Sequence, residues 1–117
     1  MRHQVKKLRL ARPTAQRRLL IGNLATSLIL NGKIQTTKAK AKAVQPVIEK
    51  LIHTAKTKDL RLAITAVNKV LQNELSSKML FEELVKKYKD RTSGYTRISD
   101  IGFRAGDAAP LVQIELL

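Results

Sequence analysis

The sequence contains no cysteine and no apolar stretch long enough to cross a bilayer. Without cysteine there can be no disulfide bond, no zinc–thiolate site and no thiol nucleophile. A membrane-spanning helix needs about 20 consecutive apolar residues. The basic N-terminus is also not followed by the apolar segment and small-residue cleavage site of a secretory signal. The sequence therefore predicts neither a membrane protein nor a secreted one.

Aromatic residues are scarce, since the chain has two Phe, two Tyr and no Trp. Proteins that bind single-stranded nucleic acid stack its bases on exposed rings. Two of the four rings, Phe81 and Tyr88, fall on the core-facing side of a predicted helix. We therefore expect no platform on which bases could stack.

Groups that could perform catalysis are equally sparse. The two histidines, His3 and His53, lie far apart, and neither has a catalytic partner in the sequence. Glu82 and Glu83 are adjacent, but neighbouring residues of a helix point about 100° apart, which favours a solvated face. There is neither a glycine-rich phosphate loop before a helix nor a metal-ligand spacing. We predict no catalytic residue, no metal site, no cofactor and no small-molecule substrate.

Acidic residues are missing from the first 48 positions, which hold 11 Lys and Arg. The rest of the chain is nearly balanced, with 12 basic and 9 acidic residues. The net charge of +14 therefore comes mainly from the N-terminal part. Such asymmetry is typical of a protein that binds a polyanion, most often nucleic acid. Because no DNA-reading helix is recognisable, we expect contacts with the phosphates of a structured RNA.

The sequence also supplies a core, because 33 of its 117 residues are Leu, Ile or Val. This length is typical of a single domain. Residues 1–13 are a basic arm whose few apolar positions form no core-facing stripe, and we expect it to be extended or irregular in isolation. We assign residues 14–117 to one domain.

Four helices are predicted from apolar residues that recur at helical spacing. The first begins at Pro13 or Thr14 and ends at Gly32, which can adopt the left-handed cap conformation. The second covers 38–55 with Pro46 inside it, the third 58–72, and the fourth runs from about 76 to 88. The residues expected to face the core are Leu20, Leu24, Leu28, Ala41, Val44, Ile48, Leu51, Ile52, Ala55, Leu60, Ile64, Val67, Leu71, Leu80, Phe81, Leu84, Val85 and Tyr88.

The remaining segments read as strands. Residues 33–36 are a short β-branched segment, and residues 95–101 form a second strand. Ile98 and Ile101 are out of phase there, which indicates either a bulge or a strand covered on both faces. Residues 102–107 make a turn, and in the last strand Val112, Ile114 and Leu116 alternate with polar residues. We predict an α+β fold with four helices packed on a small two- or three-stranded mixed sheet.

Several motifs occur in a distinctive order. They are Met1-Arg2-His3, Asn23-Leu24-Ala25-Thr26-Ser27-Leu28, Ile34-Gln35-Thr36-Thr37, Lys38-Ala39-Lys40-Ala41-Lys42, Gly94-Tyr95-Thr96-Arg97-Ile98 and the segment from Gly102 to Pro110. In these motifs the chain resembles the family of ribosomal protein seventeen of the bacterial large subunit. It departs from the pattern of that family at Gln4, Lys6, Lys7, Gln16, Gln45 and Pro46.

The resemblance implies a structural constituent of the large ribosomal subunit that supports translation in the cytoplasm. Its partners would be large-subunit rRNA and neighbouring large-subunit proteins, with no membrane partner. Residue type, position and the resemblance together give the expected RNA-binding set: Arg2, His3, Lys6, Lys7, Arg9, Arg12, Arg17, Arg18, Asn23, Thr36, Thr37, Lys38, Lys40, Arg97 and Arg104.

Two other classes of protein stay open from the sequence alone. One is a free-standing architectural nucleic-acid-binding protein, which would need a dimer surface or residues that insert into a groove. The other is a protein that binds a membrane surface or an acidic protein. Sedimentation separates them, because a ribosomal protein travels with the large subunit at moderate salt.

Overall fold

The computed structural model describes Leu10 and residues 13–117. The predicted division into an arm over 1–13 and a domain over 14–117 stays a prediction, because most of the arm lies outside the described residues. The same holds for the six expected RNA-binding residues of the arm, which are Arg2, His3, Lys6, Lys7, Arg9 and Arg12.

The helices follow the predicted order. The bounds are Thr14–Asn31 for α1, Lys38–Thr57 for α2 and Leu60–Val70 for α3. The fourth helix, α4, consists of three consecutive pieces, which are α-helical Glu74–Met79, a π-helical turn Leu80–Leu84 and α-helical Val85–Lys87. Gly32 ends α1 with φ 81°, and its N–H donates to the Leu28 carbonyl. This is the predicted left-handed cap, which glycine adopts without a steric penalty.

Three strands form the sheet: β1 Lys33–Thr37, β2 Thr96–Phe103 and β3 Pro110–Leu116. Their order is β1-β3-β2, and β3 pairs antiparallel with both neighbours. The predicted α+β class is confirmed, but the sheet is antiparallel and not mixed. The pairing of β2 shifts between Asp100 and Gly102, which confirms a bulge in this strand. β2 also continues into the segment predicted as a turn.

The core lies between the helices and one face of the sheet. Val112 and Ile114 of β3 are fully buried there, as the alternation of the last strand predicts. They belong to one cluster with Leu28 of α1, Ile48 of α2 and Leu80 of α4. A single hydrophobic core therefore holds the helices on the sheet.

The buried face of α1 differs from the predicted one. Leu20 and Leu24 are only half-buried, whereas Gly22, Ala25, Leu28 and Ile29 are buried. A Cβ atom on Gly22 would lie 2.8 Å from the Val70 carbonyl oxygen. Because α1 approaches the end of α3 this closely, small residues occupy the contact in place of leucines.

The prediction for α3 is wrong at two of its four core positions. Leu60 is 62% exposed and Ile64 is 40% exposed, while Ala63 and Val67 are buried. The small side chain of Ala63 lets α3 pack closely, and this turns the larger residues outward.

The start of α4 also differs from prediction. The Asn73 side chain accepts a hydrogen bond from the Ser76 N–H at 3.1 Å, so α4 begins at Glu74 and not at a serine. Asparagine is a preferred residue at this capping position. Pro13 precedes the first turn of α1, and no side chain caps that helix.

Candidate nucleic-acid interface

The junction between β1 and α2 places several expected RNA-binding residues next to each other. Thr36 and Thr37 end the strand, and the helix begins at Lys38. Lys38 and Lys42 are exposed, whereas Lys40 is half-buried. Residues four apart share one helix face. The exposed pair is therefore Lys38 with Lys42, a residue that was not in the expected set although its spacing could have identified it.

The first turns of α1 and α2 carry cations and no acidic residue. Arg17 is half-buried and Arg18 exposed in α1. No side chain caps either helix, so their first N–H groups lack a side-chain acceptor. The positive end of a helix dipole disfavours cations and favours anions. Both termini are thus suited to a phosphate oxygen.

The described cations of the N-terminal half form no internal ion pair. Within residues 13–117, none of Arg17, Arg18, Lys33, Lys38, Lys40 and Lys42 forms an ion pair. Both ion pairs of this part of the chain involve arginines of the C-terminal half. The uncompensated positive charge is therefore available to an external polyanion.

Arg97 lies on the outer face of the sheet. Glu115 stands between Lys33 and Arg97 in the register of the three strands. The Arg97 Nη1 atom is 3.8 Å from Glu115 Oε1, and its side chain is 62% exposed. An exposed pair at this distance contributes little, so the guanidinium can still reach an outside partner.

Arg104 is held by its own turn. Its Nε donates to Asp107 Oδ1 at 3.0 Å and its Nη2 to Asp107 Oδ2 at 2.5 Å. The Ala109 N–H also donates to Oδ1, at 3.2 Å. The hydrogen bond from Arg104 is the largest cause that lowers the pKa of Asp107 to about 2, and the same bond raises the pKa of Arg104. This pairing leaves Nη1 of Arg104 for other contacts.

Glu49 of α2 fixes the start of β2. Its Oε1 accepts from the Tyr95 N–H at 3.0 Å, the Thr96 N–H at 3.2 Å and the Thr96 hydroxyl at 3.0 Å. Its Oε2 accepts from the Gly94 N–H at 3.2 Å. Gln45, a departure from the family pattern, donates to the Thr96 hydroxyl at 3.1 Å. These contacts fix the start of β2 at Thr96, directly before Arg97.

Asn23 and Arg18 line a cleft between α1 and the turn from α3 to α4. Lys69, Gln72 and Asn73 line its other side. The sequence did not suggest these three residues, since they lie outside the motifs that carry the resemblance.

One aromatic ring differs from the expectation that none is available. Phe103 is 75% exposed near the tip of the β2–β3 hairpin, beside Ile101, which is 49% exposed. Tyr88 and Tyr95 are buried and lie 5.2 Å apart between ring centroids. The hairpin tip thus presents one apolar ring, which is too little to stack a series of bases.

No three His, Asp or Glu side chains of the described chain come together as a metal site would require. Among the helices of residues 13–117, none combines the length and apolar character needed to cross a membrane. The arrangement is that of a basic α+β protein with exposed, unpaired cations in its described N-terminal part.

Comparison with known proteins identifies the family. The model of a family described as ribosomal protein L17 matches residues 20–117. The large ribosomal subunit protein bL17 of Neorickettsia sennetsu is 44% identical over 117 residues, which cover all of both chains. The bL17 protein of Rubrobacter xylanophilus is 45% identical over 117 residues, covering all of this chain and 96% of the relative. The chain belongs to the ribosomal protein L17 family.

Family membership confirms the resemblance found in the motifs. It makes the chain a structural component of the large ribosomal subunit and not an enzyme. The chain is accordingly located in the ribosome, in the bacterial cytoplasm, among ribosomal RNA and protein partners.

Proposed function

We propose that the chain binds large-subunit rRNA directly, through its basic N-terminal half, and that this contact anchors it in the subunit. The observation that carries the proposal is the set of unpaired cations between Arg17 and Lys42, in a segment without any acidic residue. Each such cation that meets a phosphate releases condensed counterions, which is the main source of affinity for a nucleic-acid backbone.

The proposed RNA contacts are the expected ones with one addition. Lys42 joins them because it shares an exposed face with Lys38. The full set is Arg2, His3, Lys6, Lys7, Arg9, Arg12, Arg17, Arg18, Asn23, Thr36, Thr37, Lys38, Lys40, Lys42, Arg97 and Arg104. The cations meet phosphates, while the hydroxyls and the amide meet ribose oxygens and hydroxyls.

Neighbouring large-subunit proteins are the second proposed class of partner. Leu60, Ile64 and Phe81 line a groove between α3 and α4, together with Glu74, Glu82 and one lysine, Lys78. The two carboxylates outnumber the lysine and so disfavour RNA phosphates there, and the exposed leucine and isoleucine favour an apolar partner. We infer that a basic segment with apolar side chains, from an adjacent ribosomal protein, occupies this groove.

The salt dependence of RNA binding tests the main proposal. We expect log affinity for a large-subunit rRNA fragment to fall with log salt by about 0.7–0.9 per phosphate contact. Replacing Arg9, Arg12 and Arg17 with Gln should then flatten the slope by about 2–3 units. Filter-binding titrations at several salt concentrations measure this slope.

The matched control replaces Lys58, Lys86 and Lys89 with Gln. These three lysines are exposed and lie in the charge-balanced half, so the slope should change much less. Equal losses of slope in the two triple variants would contradict the proposal. A free-standing nucleic-acid binder is distinguished by sedimentation, since it would not travel with the large subunit at moderate salt.

A further inference from the structure

The cleft between α1 and the end of α3 has a lining suited to an anion. It measures about 960 Å³. Arg18 lies on the α1 side and Lys69 on the α3 side. Three carboxamides and one threonine complete the polar lining, and no Asp or Glu belongs to it. The polar lining residues are Arg18, Asn23, Thr26, Lys69, Gln72 and Asn73; the apolar ones include Leu19, Ile21, Val47 and Val70.

The close contact of the helices sets the distance between the backbones that carry the two cations. Gly22 lies against the Val70 carbonyl, where a Cβ atom would come within 2.8 Å of the oxygen. Arg18 precedes Gly22 by one helical turn and therefore shares its face. Lys69 immediately precedes Val70. The contact between backbones thus determines the separation of the two walls.

The amides of the cleft have free donors. The Asn73 side chain uses its oxygen to accept from the Ser76 N–H, which leaves its NH₂ group for another partner. Asn23 and Gln72 are exposed, and their side-chain amide groups form no hydrogen bond within residues 13–117. Arginine and lysine bind phosphate, while carboxamides bind ribose hydroxyls and base edges. The apolar residues give a surface for the face of a sugar or a base.

We propose that this cleft binds one nucleotide of the large-subunit rRNA, with its phosphate between Arg18 and Lys69 and its ribose or base edge against the amides. The proposal rests on the rRNA binding argued above and adds Lys69, Gln72 and Asn73 to the contacts. An acidic protein segment is the competing occupant, and with it in the cleft the position tested below would give no RNA cleavage.

Tethered cleavage tests the location of the RNA. Because the sequence has no cysteine, Gln72→Cys creates a single attachment point for iron–EDTA in the full chain. In a complex with large-subunit rRNA, we expect radical cleavage confined to a few neighbouring nucleotides. Lys86→Cys is the matched control on an exposed position outside the cleft, and it should give a different cleavage pattern or none.

Affinity provides the second measurement. Lys69→Gln should reduce the salt slope by about one unit and lower affinity several-fold, as expected for one lost phosphate contact. Lys86→Gln should leave both unchanged. Absence of cleavage from Gln72→Cys, or an unchanged slope in Lys69→Gln, overturns the cleft proposal while the unaltered protein still binds. If the unaltered chain does not bind rRNA at all, the proposed function itself fails.

Discussion

At the scale of single residues, two carboxylates, those of Glu49 and Asp107, bind groups inside the molecule. Glu49 accepts from two backbone N–H groups and a hydroxyl through one oxygen, and from a third N–H through the other. Asp107 closes the hairpin turn with Arg104. These acids organise the backbone next to cations, while the described cations between Arg17 and Lys42 form no ion pair.

Substitution of Glu49 should reveal its role in stability. Glu49→Ala removes the acceptor for three N–H groups, and we expect a loss of about 1.5–3 kcal/mol in the free energy of unfolding. Glu49→Gln keeps one acceptor oxygen and should lose less. Urea denaturation of both variants measures the difference. Equal stability of wild type and Glu49→Ala would show that water replaces the carboxylate without cost.

The turn at Asp107 should respond to acid. The pKa of this carboxyl is lowered to about 2, from an ordinary value of 3.8. A lowered pKa in the folded state adds stability that is present above about pH 4 and is lost as pH falls through 2. We expect the hydrogen bond from the Ala109 N–H to weaken over that range. An NMR titration of the Asp107 carboxyl and the Ala109 amide measures it.

Arg104→Gln is the control for the acid response. Without the guanidinium, the largest cause of the lowered pKa disappears, and the Asp107 midpoint should move up towards its ordinary value. An unchanged midpoint in this variant would mean that the backbone of the turn, and not Arg104, holds the carboxylate ionised.

At the scale of elements, close helix contacts decide which faces are buried. Gly22 is the clearest case. Alanine is preferred to glycine within a helix by about 1 kcal/mol, but its Cβ would lie 2.8 Å from a backbone oxygen that cannot rotate away. We expect Gly22→Ala to destabilise the fold by about 1–3 kcal/mol, the usual range for overpacking. Thermal unfolding followed by circular dichroism measures the effect.

Leu19→Ala is the matched control for this substitution. Leu19 lies on the same helix and is largely exposed, so its loss should change the midpoint little. A Gly22→Ala variant more stable than wild type would show that α1 and α3 can separate, and that the walls of the cleft are not fixed by this contact.

The same contacts explain how far the sequence predicts the fold. Alternation in β3 correctly predicts the burial of Val112 and Ile114, because one face of that strand meets the core. The stripe of α2 is also predicted, since larger apolar residues line one side. In α1 and α3 the buried positions include Gly22 and Ala63. A ranking by hydrophobicity favours leucines over such residues, and only tertiary packing reveals the close approach.

The sequence predicts the class of partner that the candidate interface would bind, but not how the residues of the interface are arranged. The missing acids before Glu49 point to a polyanion partner, and the motifs point to the family. The pairing of Arg104 with Asp107 lies within one turn, whereas the cleft beside Lys69 depends on how distant segments meet. No local pattern of residues encodes the cleft.

At the scale of the whole molecule, the high net positive charge lowers the stability of the folded state. A net charge of +14 on 117 residues makes the folded chain repel itself. Phosphates bound at the N-terminal half, as proposed above, would remove part of this repulsion and add favourable contacts. Binding to RNA should therefore also stabilise the fold, because a ligand that binds only the native state raises its stability.

The position of β3 determines when the sheet can form during synthesis of the chain. β3 is the central strand, and β1 and β2 each pair with it. It also follows both of them in the sequence. Lys33 in β1 can therefore pair with Glu115 only after the C-terminal segment has been synthesised. During synthesis the basic half emerges first and the sheet closes only after residues 110–116 appear. A nascent chain of this design presents its cations to RNA before its strands have partners, and such unpaired strands are prone to aggregate.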